Sequence, residues 1–396
     1  MAISRKSHAA AVCFTNIVLE ITVITGLVSG PTFQRVFGLS DTRLGIVLGA
    51  ANMGMLFMAP IAGRITHRRG SFFSLFAGLM AGLTAIVVIC LAPGFYVLAA
   101  GLICMGLAMG LITSANATFL ADLYPLRVRR VMGLASALWF GSSALSAPLI
   151  GSWLESARRR GLGRWSFRVP YGADMLLLGV CLVLAFVLLR KAHEAFGADP
   201  TPTSSGCKRS VGPGNGRHEW MWVPLLGFCH GVMIIGLMSW LNPMAQAKFG
   251  ANELQGSLIV GAMALGLGGG RLLFALLRTR YEERIILAVS AFLGGALLAV
   301  ALMAPNYPTA LAATGFGALI SAPTFPCILS LTSRVFPKTK ARIYGYMYSS
   351  VALAGLGTPA IVGALADRGV PIWTAQGLSP LAALALGILA LLWARQ

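Results

Sequence analysis

The chain repeats itself at a constant offset of 212 residues, without a gap. Pro31, Phe37, Gly38, Gly49 and Gly54 meet the same residue types again at Pro243, Phe249, Gly250, Gly261 and Gly266. The register continues through Arg68 and Arg280, Pro93 and Pro305, Pro125 and Pro337, Arg130 and Arg342, Gly133 and Gly345, and Gly151 and Gly363. Glycine and proline set turns, kinks and close backbone approaches, so their recurrence in one register requires two copies of one backbone path. The working region of such a duplicated chain is expected between the copies.

Each copy is built for lipid. At 57% hydrophobic and 11% charged residues, with a mean hydropathy of +0.78, the 396 residues offer too little polar surface for a water-soluble globule. About 20 apolar residues cross a bilayer as a helix. On that measure the chain reads as all-α, with twelve membrane spans at 9–31, 42–62, 71–92, 95–120, 131–154, 171–190, 221–247, 254–277, 285–304, 308–333, 342–365 and 375–394. No period-2 alternation suggests a barrel, and open strands cannot cross a membrane. The division is an amino-terminal six-helix bundle over 1–190, a Gly-, Pro- and Ser-rich linker over 191–219 and a second bundle over 220–396. An even number of spans per copy makes the two repeats parallel.

The formal charge of +19 is read as a topology signal. Arg5, Lys6, Arg64, Arg68, Arg69, the Arg127 to Arg130 group, the linker cations, Arg278, Arg280, Arg284 and the Arg334 to Arg342 group all fall on one side. Positive loops stay in the cytoplasm, which puts both termini there. One opposite loop also gathers Arg158, Arg159, Arg160, Arg164 and Arg168, a cluster suited to anionic solutes or lipid headgroups. The basic blocks are scattered over short segments, so no nucleic-acid groove is expected. Arg5 and Lys6 precede an apolar run too long for a signal-peptide core, which is read as an uncleaved first span. The seven cysteines stand singly and no His cluster accompanies them, so neither disulfide, metal nor other cofactor is expected.

At the connection between the fourth and fifth spans the chain reads Asp122-Leu-Tyr-Pro125-Leu-Arg127-Val-Arg129-Arg130-Val-Met-Gly133, with a copy at Arg334-Val-Phe-Pro337-Lys-Thr-Lys-Ala-Arg342-Ile-Tyr-Gly345. Gly63-Arg64-Ile-Thr-His67-Arg68-Arg69-Gly70 follows the second span. Together these resemble the cytoplasmic signatures of the major facilitator superfamily, with His67 where the family carries an aspartate. The resemblance implies that family's fold and alternating access between two rocking bundles. It also implies gating roles for Arg68, Asp122, Arg127, Arg130, Arg271 and Arg342. A narrower likeness, to the fucose-galactose-glucose/proton symporter branch, rests on Gly315-Phe-Gly317, Pro323-Thr324-Phe325-Pro326, Leu329-Ser330-Leu331 and Gly363 through Gly369. Leu27 and Ile112 stand at that branch's acid positions, so its proton carriers do not transfer to this chain.

A buried carboxylate costs about 2.5–3.5 kcal/mol at the bilayer centre on insertion scales, which makes an acid in a span a functional candidate. Glu20 lies near the middle of the first span and His230 at nearly the same depth in the seventh, and the pair is read as the proton-coupling element. Asn52, Thr113, Asn116, Trp139, Trp240, Asn242, Thr324 and Tyr348 offer amides, hydroxyls and aromatic faces for a substrate, with Ser114, Thr118, Ser321, Ser330, Tyr344 and Tyr346 beside them. Arg271 resembles an anion anchor at first sight, but its position near the cytoplasmic third of its span favours snorkelling or gate pairing. Gly45, Gly49, Gly54, Gly261, Gly266, Gly268, Gly269 and Gly270 provide surfaces on which helices slide.

The expected protein is a monomeric, multi-pass carrier of the cell membrane. It moves a small polar solute, sugar-like by its aromatic and amide complement, together with protons. An exporter or antiporter is an alternative, since Ser143-Ala-Leu-Ser-Ala147-Pro148-Leu-Ile-Gly151 is a degraded likeness of the Gly-rich antiporter motif. A non-transporting sensor is another. No carboxylate dyad or nucleophile-base set suggests an enzyme.

Overall fold

The computed structural model describes residues 5–124, 128–189, 221–276, 282–336 and 340–393, and every regular element among them is a helix. Twelve of these segments are long and apolar enough to cross a membrane. The first span is α1 (Arg5–Val28), followed by the short α2 (Gly30–Phe37). Then come α3 (Asp41–Arg69), α4 (Ser71–Leu91), α5 (Phe95–Leu123), α6 (Val128–Arg159) and α7 (Trp165–Leu184), the last extended by a π turn over Ala185–Leu189. The seventh span is α8 (Trp222–Gly231), a π turn over Val232–Gly236 and α9 (Leu237–Phe249). It is followed by α10 (Glu253–Leu276), α11 (Glu283–Met303), α12 (Tyr307–Ser321), α13 (Thr324–Val335), α14 (Lys340–Ala366), the single turn α15 (Ile372–Ala375) and α16 (Leu378–Trp393).

The duplication written in the sequence reappears as matched helix ends. Shifting by 212 carries Ser71–Leu91 onto Glu283–Met303, Phe95 onto Tyr307, Leu123 onto Val335 and Val128 onto Lys340. Gly38 and Gly250, one register position, close α2 and α9 with φ of 60° and 64°, a left-handed turn that favours glycine. Local chemistry starts the helices. The Asn306 side chain accepts from the Thr309 amide at 3.0 Å, and Pro308 fills the first turn of α12, where a missing N–H is harmless. The break between α12 and α13 falls at Ala322-Pro323, where proline removes a backbone donor.

The sixth span differs from its expected start at 171 and begins at Trp165. Arg168 can stay in the helix because its guanidinium lies over the Trp165 ring, 5.6 Å from its centre, and the Trp153 indole donates to the Ser166 carbonyl at 2.8 Å. The second span is longer than 42–62, since α3 carries Arg64, Arg68 and Arg69 on turns that run past the apolar stretch. Large exposed side chains such as Leu145, Leu149, Leu176 and Leu381 mark the outer faces of the bundle, where lipid is the solvent.

One core contains Leu75, Ile86, Leu98, Leu120 and Phe167, all from the first six spans. A second gathers the last six around Leu241, Met263, Leu298 and Ile328, and takes in Ile24, Val28, Ala147, Ile150 and Leu154 from the first six. Between the two sets, α3 packs along α14 and α6 along α10. Lipid tails are as apolar as leucine, so this seam depends on close packing rather than on hydrophobic exclusion. Gly45 and Gly49 place α3 so near α14 that a methyl at either would run into the Pro359 or Leu356 carbonyl, and Gly151 meets Ser257 across the other seam.

Consecutive spans alternate in direction, so the start of α1 and the end of α16 lie at one end of the bundle. The other end, carrying residues 38–40, 250–252 and 367–371, is shut. There Glu253 of α10 accepts from Arg35 and Thr32 of α2, and its own amide donates to Glu155 of α6 at 3.4 Å. Asp367 accepts from the Asp41 and Thr42 amides at the start of α3, at 2.9 and 3.0 Å, a carboxylate on a helix N-terminus. Asn242 donates to the Val28 carbonyl at 2.7 Å.

Candidate transport site

The first and seventh spans are the most enclosed of the twelve, 61% and 72% buried, as central positions demand. They deliver Glu20 and His230, which are 4% and 3% exposed. These two do not bond each other. Glu20 is held by its own side of the molecule, accepting from Ser143 of α6 and from Trp139 one turn away. His230 Nδ1 lies 3.0 Å from the Thr324 hydroxyl at the start of α13, and its ring packs 5.3 Å from Phe325. Each residue is satisfied within its own six spans.

What joins them is Arg271. Its position along the chain favours an end-of-helix role, yet its side chain is only 9% exposed and does not reach out to water. It crosses the seam instead, with Nη1 donating to Ser136 of α6 at 2.7 Å. Its guanidinium carbon stands 4.5 Å from the Phe140 ring centre and 5.4 Å from that of Phe325. Its charge acts on Glu20, His230 and Tyr348. Tyr348 completes the group, edge-on to Phe325 at 5.8 Å. Residues of α1, α6, α8, α10, α13 and α14 therefore converge on one guanidinium.

The other expected substrate ligands divide by partner. Trp139, Thr324 and Tyr348 belong to this cluster. Asn116 of α5 is buried, donates to Asn16 of α1 at 2.8 Å and keeps its own carbonyl oxygen free. Trp240 is fully buried, its indole donating to the Pro359 carbonyl at 3.1 Å. Asn242 is committed to Val28 and Gln246, and Asn52 donates to the Gly355 carbonyl at 3.2 Å, so both amides fasten the seam. Thr113 turns back to the Met109 carbonyl of its own helix at 2.7 Å. Ser330 donates to Glu283 at 2.6 Å.

Among the gate residues, Arg68 is exposed at the end of α3. Arg127 lies outside the described residues, as do the side chains of Asp122, Arg130 and Arg342. The arginine cluster near residue 160 is largely engaged: Arg158 and Arg159 both pair with Glu155 at 2.9 Å, and Arg164 donates to the Pro93 carbonyl at 3.1 Å.

Sequence reasoning passed over several residues. Glu253, Glu155 and Asp367 sit at predicted span ends, where an acid attracts little notice, yet they form the shut end. Ser136, Phe140 and Phe325 are ordinary membrane-helix residues until Arg271 is placed beside them. Asp174 of α7 is an acid inside a predicted span, the same signal that picked out Glu20. It is 2% exposed, has Thr25 as a partner and leaves Oδ2 unpaired, with the Tyr171 and Ser29 hydroxyls also unpaired.

Two six-span sets, a closed seam at one end and a polar cluster assembled from both sets define a membrane transporter architecture. The sequence pattern of the Major Facilitator Superfamily matches residues 10–241 and again 223–396, and the chain belongs to that family. Its fold is similar to the crystal structure of a point variant of the E. coli fucose:proton symporter FucP, at TM-score 0.69 and 16% identity over 99% of both chains. FucP in the outward conformation gives TM-score 0.68 and 18% identity, over 97% of this chain and 98% of that one. A bacterial homologue of the human lysosomal transporter Spinster, inward-facing and occupied, gives 0.65 and 15%, over 98% and 94%. No curated protein sequence matches the chain.

Proposed function

We propose that this chain is a secondary transporter that carries a small polar solute by alternating access, with protons moving alongside. The observation that supports it is the cluster itself. A buried carboxylate from the first six spans and a buried guanidinium from the last six are both held by α6, Glu20 by Ser143 and Arg271 by Ser136, across the seam that must open and close. A proton on Glu20 removes one of these charges, so its loading changes the attraction between the two sets. That is what coupling requires: a ligand shifts a two-state equilibrium only through a difference in its free energy between the states.

The units that rock are 1–190 and 220–396, joined by the 191–219 linker. With the termini in the cytoplasm of the cell membrane, the shut end faces outward. The sugar-like reading is supported by the likeness to a fucose:proton symporter and by Trp139, Phe325 and Tyr348, whose rings can stack on a sugar face.

The test is uptake into proteoliposomes with an imposed pH gradient, screened across sugars, polyols and organic acids. Transport should follow the gradient and lose that dependence in Glu20→Gln while counterflow persists. Uptake that ignores pH in the unmodified protein would leave a facilitator and end the symport reading. Export is the alternative direction, and inside-out vesicles distinguish it.

A further inference from the structure

Arg271 is the one charge in this cluster whose hydrogen-bonding capacity is mostly unspent. A guanidinium has five N–H donors in a rigid fork. Here Nη1 reaches Ser136, whereas Nε is buried with no partner. Among the described residues no carboxylate lies within ion-pair distance of Arg271. Glu20 is nearest in effect but already accepts from Ser143 and Trp139.

The groups around the guanidinium leave Nε without a partner. Phe140 and Phe325 stand against the guanidinium at 4.5 and 5.4 Å and keep other charged groups from those approaches. Ser136 occupies the Nη1 side. What remains is the edge presenting Nε–H beside Nη2, the pair that meets a carboxylate side-on through two parallel hydrogen bonds. A neutral hydroxyl could take one of these donors but would leave the positive charge uncompensated in a buried place.

We infer that Arg271 is the anchor for a carboxylate on the transported solute, so that the substrate class is small organic monocarboxylates. The inference rests on the transport reading above and sharpens its substrate. It also assigns a reason for proton coupling. The charged and titratable groups facing Arg271 are Glu20 from α1, His230 from α8 and Tyr348 from α14, with Tyr344 behind it; α6 and α13 present Ser136, Phe140, Thr324 and Phe325. An ionised Glu20 competes with an incoming carboxylate for the same positive charge. A protonated Glu20 does not, so proton and anion favour each other's binding and enter as a neutral pair.

The experiment uses the full chain in proteoliposomes and matched probes that differ in the acid group: gluconate against glucitol, lactate against propane-1,2-diol, and benzoate against benzyl alcohol. Each is measured for thermal protection and for counterflow. At least one acid should protect and exchange at tenfold lower concentration than its alcohol. Arg271→Gln should erase that preference, and Arg271→Lys, which keeps a charge but not the fork, should retain part of it. Glu20→Gln should bind the acid with little dependence on pH. Counterflow of neutral probes, undiminished in Arg271→Gln, would overturn the carboxylate anchor and leave the transporter reading standing. Absence of counterflow for every probe would remove both. The acid-to-alcohol comparison in the unmodified protein decides the matter even if the variants fail to fold, with equal protection by both members of each pair counting against the inference.

Discussion

Replacing Glu253 by glutamine should loosen the shut end of the molecule by a calculable amount. Glu253 is 1% exposed and accepts from Arg35, whose side chain is 44% exposed. Its other bond, from Gln246 at 3.0 Å, lies within the last six spans and survives opening, so it cancels between the two states. The Thr32 hydroxyl at 3.5 Å is at the limit of a hydrogen bond and adds little. A charge-assisted bond contributes about 1.5–3 kcal/mol against about 0.5–1.5 for a neutral one. The amide oxygen of glutamine keeps the neutral part, and the exposure of Arg35 screens what is lost. The net change is about 1 kcal/mol, or roughly fivefold in the equilibrium between shut and open. Nitroxide labels at Arg43 and Ala247, on opposite sides of that end, report it as a distance distribution. Glu253→Gln should enrich the longer distance about fivefold, and Arg35→Gln should act in the same direction. The double variant should show the same total as either single one. A distribution unchanged within twofold, or strictly additive effects, would refute the assignment of Arg35 and Glu253 as a latch.

Asp367 adds a pH signature to the same end. Its carboxyl is held below the ordinary 3.8, chiefly by hydrogen bonds from the Thr42 side chain and amide, with the Asp41 amide contributing. A lowered pKa means the latch is fully present above the ordinary value and is lost as pH falls through the lowered one. The longer distance should therefore grow below about pH 4, and Asp367→Asn should reduce that growth. Gly45→Ala should lower the thermal midpoint in detergent, because the new methyl meets the Pro359 carbonyl and overpacking costs about 1–3 kcal/mol. Gly172→Ala, with nothing within 4 Å of its added carbon, should be neutral or slightly stabilising, and equal behaviour of the two variants would contradict the packed seam.

The spans and their duplication were readable from composition and spacing, since a helix in lipid must satisfy its own backbone and can hardly be anything but a long apolar run. The paired starts at Phe95 and Tyr307 follow from Pro93 and Pro305, turn residues that occupy equal positions in both copies. Glu20 and His230 were readable as exceptions to an apolar rule. Their partners were not, because hydropathy says that a polar group is buried without saying which helix faces it. Trp240 and Asn242 have substrate-like chemistry in the sequence, yet the packing gives them to Pro359 and Val28. Arg271 moved the other way. Its place in the chain suggests a helix end, and only the crossing of α6, α10 and α13 shows a guanidinium enclosed by Phe140 and Phe325. Helix identity is a property of consecutive residues, whereas a site between bundles is a property of rotations and crossings fixed by contacts hundreds of residues apart in the chain.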